Sequence, residues 1–344
     1  MPDVRTALFI GGTGTISTAI TQRVAASGQW QLTLLNRGTR PDAVPAGVQV
    51  LQADVRDEDA VARLLRGRTF DCVCDFIGYH PSDVERDWRL FRHRTAQYIF
   101  ISTASAYQKP SLTPVINEQT PLQNPYWSYS QQKIACEECL WELHRTDAFP
   151  VTVVRPSHTY CERSVPVAIH GANGSWQVLR RMMDGKPVVV HGDGTSLWTL
   201  THSHDFAVAF TALMGRQETV GEAYQITSDE SLTWNAIYTH IAHALGTDYR
   251  PCYVPSATLA VIGERYDLRG RLLGDKGCSV LFDNSKIHRL APHFRTTIPF
   301  AEGAASAVRH ILAHPELQRP DPDFDRWCDS VVAWADSARS TFPE

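Results

Sequence analysis

Leu8-Phe9-Ile10-Gly11-Gly12-Thr13-Gly14-Thr15-Ile16-Ser17 decides how the chain is read. Three apolar residues run straight into a glycine cluster, and Ile16, Ile20 and Val24 then share one helical face up to about Gly28. Gln31-Leu32-Thr33-Leu34-Leu35 follows as a second strand. Strand, glycine-rich turn, helix and strand make the unit that cradles a dinucleotide. Its glycines let the backbone approach a pyrophosphate, and the helix N-terminus offers N–H donors at its positive dipole end. Gly11, Thr13, Gly14, Thr15 and Ile16 are therefore candidate cofactor-binding residues, with Ser17 standing where a third glycine often sits.

The second strand ends in Asn36-Arg37. A carboxylate at this point would accept from the adenosine ribose hydroxyls, whereas a neutral Asn36 beside a cationic Arg37 suits a ribose 2′-phosphate. The cofactor is expected to be NAD or NADP, with the balance towards NADP. Further strands are read at 48–51, followed by Asp54-Val55, at 70–77, ending at Gly78, at 98–101, running into Ser102-Thr103, and at 151–156. Helical patterns separate them, one capped by Asp83 with Val84, Trp88 and Phe91 on one face. This alternation predicts an α/β fold with a doubly wound (Rossmann) parallel sheet, whose ligands sit at the C-terminal strand ends. Gly11, Asn36, Gly78 and Thr103 all fall there. Beyond about Tyr160 the pattern loosens, which predicts a dinucleotide-binding domain over 1–160 and a smaller C-terminal substrate lobe over 161–344. Strands near 188–191 and 224–227 are candidates to return to the large sheet.

Bulk properties narrow the function. The 344 residues are 43% apolar and 20% charged, as in an ordinary globular enzyme, and 33 basic against 37 acidic side chains give a formal net charge of −4. Nothing in that balance draws the chain to nucleic acid or to an anionic membrane. Arg86, Arg89, Arg92 and Arg94 read as one solvated helix face diluted by Glu85 and Asp87. No apolar run approaches the ~18 residues of a membrane span, and the start lacks the pattern of a signal peptide. Cys136 and Cys139 form a C-x-x-C, but inside a helix, so the eight cysteines read as reduced structural thiols of a cytoplasmic protein.

Tyr126-Trp127-Ser128-Tyr129-Ser130-Gln131-Gln132-Lys133 opens a helix that runs to about Arg145. Tyr129 and Lys133, four residues apart, stack on one face. A phenol titrates near ~10, and a neighbouring cation favours the phenolate, so such a pair makes a proton-transfer group. Thr103 lies 26 residues before Tyr129.

Taken together, the glycine turn, Asp54-Val55, Ile101-Ser102-Thr103, Tyr129-x-x-x-Lys133, Arg155-Pro156, Gly192-Asp193-Gly194 and His202-x-x-Asp205 resemble the extended short-chain dehydrogenases/reductases of the NAD-dependent epimerase/dehydratase family. The resemblance implies that Tyr129 exchanges a proton with a substrate hydroxyl or carbonyl. Lys133 would lower its pKa and hold the nicotinamide ribose, and Thr103 would hydrogen-bond the reacting oxygen. It implies Asp205 as a helix cap and a homodimer through helices at about 83–95 and 128–145. It also implies oxidation/reduction or epimerisation at a secondary alcohol of a sugar or sugar-like small molecule.

The departures from the family bear on substrate. Ala104-Ser105 replaces the Asp-Glu that dehydratases place after the threonine, which disfavours dehydration and leaves Ser105 as a candidate substrate contact. His158 stands where nucleotide-sugar enzymes carry an asparagine, and Trp198 where they carry a diphosphate-binding arginine. A tryptophan there stacks on a ring and brings no charge. A typical nucleotide sugar is thus not expected. His202, His204 and Asp205 lack the further ligands a metal requires, so no metal is expected. The N-terminal half is also similar to a chloroplast RNA-binding branch of the superfamily. The alternative reading is therefore a non-catalytic nucleotide sensor or RNA-binding member.

Overall fold

The computed structural model describes residues 4–341. Seven strands form one sheet in the order Glu222–Ile226, Val151–Pro156, Tyr98–Ile101, Cys72–Asp75, Arg5–Ile10, Trp30–Asn36 and Gln49–Gln52. Every neighbouring pair in it is parallel. The order reverses direction at Arg5–Ile10, the first strand, so the glycine turn opens at the switch point of a doubly wound sheet. Ala7, Leu8, Phe9 and Ile10 are fully buried, as a strand covered on both faces requires.

Helices close both faces. On one, Ala19, Ile20 and Val24 of Ser17–Ala26 meet Phe206, Phe210 and Leu213 of Ser203–Leu213. On the other, Val61, Val84, Phe91, Cys136 and Leu140 come from the helices Glu58–Leu64, Pro81–Phe91 and Ser128–Asp147. A separate core around Trp176, Leu179, Trp234, Tyr238 and Phe300 fills the C-terminal lobe. Among the described residues no helix is long and apolar enough to cross a membrane.

Three details depart from the sequence reading. Glu222–Ile226 does join the large sheet, at its edge, but Val188–His191 pairs with Pro251–Val254 in a ribbon of its own. A fully apolar strand wants a parallel partner on a buried site, and the lobe supplies one some sixty residues later. Arg86 is not on a solvated face: it is 6% exposed and its guanidinium bridges Asp83 at 3.0 Å and Asp87 at 2.7 Å. Asp83 and Asp205 are not N-caps. Asp83 lies in the first turn, where its carboxylate accepts from the amides of Tyr79 (2.9 Å) and His80 (3.0 Å). His202 caps Ser203–Leu213, and Asp205 instead accepts from the amides of Thr297 and Ile298, pinning a later loop to this helix.

One buried ion pair locks the helix Ser128–Asp147 to the sheet. Glu137 is fully buried, and its carboxylate takes Nη2 of Arg155 at 2.6 Å and the hydroxyl of Ser102 at 2.5 Å. Arg155 is the sixth strand's penultimate residue and Ser102 follows the fifth, so the pair sets the helix against two strand ends at once. Breaking a buried pair leaves a charge without compensation. Glu137→Ala is expected to cost ~3–5 kcal/mol in denaturant unfolding, and a loss no larger than that of an exposed pair such as Arg145–Glu142 would show the pair to be dispensable.

Candidate active site

The glycine turn enters a cleft of about 880 Å³ at the C-terminal edge of the sheet. Gly11, Thr13, Gly14, Thr15 and Ile16 line it, with Asn36 and Arg37 from the second strand end and Asp54 and Val55 after the third. Gly12 cannot carry a side chain: its φ is +94°, and a Cβ there would lie 2.7 Å from Cδ2 of Leu34. Ser17 explains the missing third glycine. Its buried hydroxyl accepts from the Gly14 amide at 2.8 Å and so holds the turn from within. Within the first turn of Ser17–Ala26 the Thr18 amide donates to the Gly14 carbonyl at 3.0 Å, and the positive end of the helix faces the cleft. These features fit a dinucleotide.

Arg37 is exposed, and Asn36 turns its side-chain oxygen to the Gly38 amide at 2.9 Å. Arg40 donates to the Thr13 carbonyl. Asp54 is paired with Arg56 at 2.6 Å, and hydrogen bonds from Arg56 hold its carboxyl well below the usual range. Gly78 does not line the cleft. It lies behind it, buried, with its amide donating to Asp75 at 3.0 Å and its carbonyl accepting from Nζ of Lys133 at 2.6 Å. A Cβ at Gly78 would sit 2.2 Å from the Asp75 carboxylate, which is why glycine stands there.

Lys133 reaches across to a second carbonyl, that of Ile101, at 2.7 Å. Its ammonium thus spans the ends of the fourth and fifth strands, between the rings of Tyr79 (4.8 Å) and Phe100 (4.6 Å). Burial lowers its pKa to about 8, with the Asp75 carboxylate opposing. Tyr129 packs against Trp127 with ring centroids 4.9 Å apart and the rings tilted by 51°. Burial pushes its phenol up to about 12, Tyr79 adds to this, and the Thr103 hydroxyl opposes it. The sequence reading expected Lys133 to lower that pKa; here the charge is spent on backbone carbonyls and the phenol is neutral.

Thr103, Ser105, Tyr129, His158 and Trp198 converge on one cavity of about 270 Å³. Hydroxyls chain along its floor, from Thr103 to Ser105 at 3.0 Å and on to Ser130 at 2.7 Å. His158 is held neutral, its pKa lowered to about 3 by burial and then by Lys276 and His170. Its Nδ1 and the Nε1 of Trp198 are buried without a hydrogen-bond partner. Lys109, Trp127, Asp275 and Lys276 complete the wall and escaped the sequence reading. Lys276 lies 5.8 Å from the Trp198 ring centroid, so a cation stands beside that residue although none precedes it in the motif.

A larger groove, about 1130 Å³, runs between Ser17–Ala26 and residues 290–298, and none of the candidate residues lines it. His202 lies 3.2 Å from Glu162 while Asp205 faces Thr297. Among the described residues no three His, Cys, Asp or Glu side chains are grouped to hold a metal.

Residues 7–227 match the NAD dependent epimerase/dehydratase family. The chain belongs to that family and is of the extended short-chain dehydrogenase/reductase type. It is 24% identical over 293 residues to a 2′-dehydrokanamycin reductase of Streptomyces kanamyceticus, which spans 85% of this chain and 81% of the reductase. It is 26% identical over 253 residues to the chloroplast stem-loop binding protein of 41 kDa b of Arabidopsis thaliana, covering 70% of this chain and 63% of that protein. The UDP-glucuronic acid 4-epimerase of Bacillus cereus, solved with UDP-glucuronic acid and NAD, superposes with a TM-score of 0.71. That match has 16% identity and covers 90% of this chain and 99% of the epimerase.

Proposed function

We propose that the chain is an NAD(P)-dependent oxidoreductase that interconverts a secondary alcohol and its ketone on a small, sugar-like substrate outside the nucleotide-sugar class. One observation carries this reading: Thr103 and Tyr129 line the 270 Å³ cavity, while Lys133, one turn along, bonds the Ile101 carbonyl at the wall of the dinucleotide cleft. Proton-transfer groups thus stand between a cofactor site and a substrate site. The cavity lies at the low end of the ~300–1,000 Å³ usual for ligand pockets, which supports a monosaccharide-sized substrate.

The bound nicotinamide supplies or accepts hydride. The side chains do the rest. Thr103 donates to the substrate oxygen and fixes its place. Tyr129, protonated at neutral pH, gives its proton to that oxygen as alkoxide character develops. Lys133 would hold the ribose of a bound dinucleotide, and its ammonium places a positive charge at the strand ends beside the site. The likeness to a reductase over most of the chain supports net reduction over epimerisation. An exposed Arg37 with no carboxylate at the second strand end supports NADPH, the nearby Asp54 being taken up by Arg56. The helices Pro81–Phe91 and Ser128–Asp147 lie side by side, tied by Trp88 to Asp147 at 2.6 Å, and their outward faces suit a homodimer.

Tyr129→Phe should lower kcat by ~10²–10⁴-fold with dinucleotide affinity unchanged. Full activity in that variant would leave an RNA-binding role, of the kind the chloroplast relative's name describes, as the better reading. Reduction should run level up to about pH 8 and decline above it, as Lys133 loses the proton it holds below its pKa of about 8. A rate still rising through pH 9 would contradict a charged Lys133. Arg37→Asp should cut the preference for NADPH over NADH by ~10–100-fold in kcat/KM, the worth of one charge-assisted contact. An unchanged ratio would remove Arg37 from cofactor choice.

A further inference from the structure

The cavity beside Tyr129 has an excess of donors. Lys109, 3% exposed, lines it, and among the described residues no hydrogen-bond acceptor or ion-pair partner meets its ammonium. Lys276, 8% exposed, lines it too, with Asp275 at 3.3 Å. Trp198 adds an indole N–H that is buried and unpartnered. Thr103, Ser105 and Tyr129 contribute hydroxyls. Against these stands a single carboxylate, Asp275, between two ammonium groups. With all three ionised, two cations and one anion leave one positive charge unbalanced in the cavity; burial works against the Lys109 charge and the Asp275 carboxylate supports it.

A buried unbalanced charge is costly, so the fold would shed it were it not used. The backbone shows how this one is kept. Lys276 ends an eight-residue π-helical segment, Arg269–Lys276, a rare geometry that is frequent at functional sites. Its carbonyl accepts from His191 Nε2 at 3.1 Å and from Trp234 Nε1 at 3.1 Å. The main chain anchors the segment, and the side chain is left to the cavity.

Building on the oxidoreductase reading, we propose that the substrate is a sugar acid or similar polyhydroxy compound whose carboxylate is held by Lys109 and Lys276, with the Trp198 indole donating to it. One unbalanced positive charge matches a monoanion; a phosphate monoester carries close to two negative charges, and a neutral or cationic sugar leaves Lys109 without a partner. Lys109 and Lys276 are thus specificity residues, supplied by a loop and by the end of the π-helical segment, both distant in sequence from the motif position where a diphosphate-binding arginine is absent.

The test is binding, measured by calorimetry on the Tyr129→Phe protein saturated with NADP⁺, so that turnover plays no part. The probes are D-glucuronate, D-galacturonate and D-gluconate, each against its uncharged amide, and glucose 6-phosphate against glucose. At least one carboxylate should bind about tenfold or more tightly than its amide, one charge-assisted contact's worth. Lys109→Met should abolish that preference and leave NADP⁺ affinity unchanged, since Lys109 is outside the dinucleotide cleft; unchanged NADP⁺ affinity also reports an intact fold. Lys276→Met should reduce the preference in the same way. Carboxylates that bind no better than their amides overturn the inference, as does a preference that survives Lys109→Met or a larger preference for the phosphate. None of these outcomes depends on whether Tyr129 transfers a proton, so the two readings fail separately.

Discussion

The ammonium of Lys133 holds two backbone carbonyls that belong to different strands, Gly78 at 2.6 Å and Ile101 at 2.7 Å. Burying such a charge costs several kcal/mol. Two charge-assisted bonds of ~1.5–3 kcal/mol each, with two aromatic rings alongside, offset it. The Asp75 carboxylate adds to this from behind Gly78, whose amide it accepts. The consequence is geometric. The dinucleotide cleft is walled by Ile77, Tyr79 and Ile101, and the substrate cavity by Thr103 two residues further on. Both walls are set by what Lys133 grips. One turn along the same helix, Glu137 grips Arg155 and Ser102, so the helix is fixed at two heights against three strand ends.

This arrangement separates the roles of a pair that sequence spacing alone would merge. Four residues apart on a helix, a tyrosine and a lysine are expected to titrate together. Here the lysine faces the sheet and the tyrosine faces the cavity, packed on Trp127 and under no direct cation. Desolvation then dominates the phenol and keeps it neutral. The lysine's charge stays with the ends of the fourth and fifth strands, where the Gly78 and Ile101 carbonyls take it up.

The parts of this design that are local in sequence were legible there. A glycine turn between a strand and a helix needs only its neighbours to form, and Gly11 to Ile16 line the cleft as their spacing implies. Thr103 follows directly on the strand Tyr98–Ile101, whereas Tyr129 and Lys133 lie on a helix beyond a long loop and were read from their own spacing and from family resemblance. What stayed hidden was set by partners distant in the chain. Val188–His191 looks like any buried parallel strand until Pro251–Val254 is known to be beside it. Arg86 reads as one of four surface arginines, and only the fold reveals Asp83 and Asp87 closing around it. Gly78 sits at a strand end as cofactor glycines do, yet the constraint on it is the Asp75 carboxylate.

The loss of an arginine at the Trp198 position shows the limit of motif reading most plainly. Counted along the sequence, the site has given up a cation. Counted in space, Lys276 stands 5.8 Å from the same ring and Lys109 lines the same cavity. Charge in a buried site is conserved by location, and a ligand responds to the field at the pocket wall whichever loop supplies it. An arginine offers a planar fork that grips two oxygens in a fixed plane, as a diphosphate requires. Two separate ammonium groups are point charges that can close on one small anion from different sides. The exchange of one for the other changes the geometry that the pocket wall offers to a ligand while leaving a cation beside Trp198.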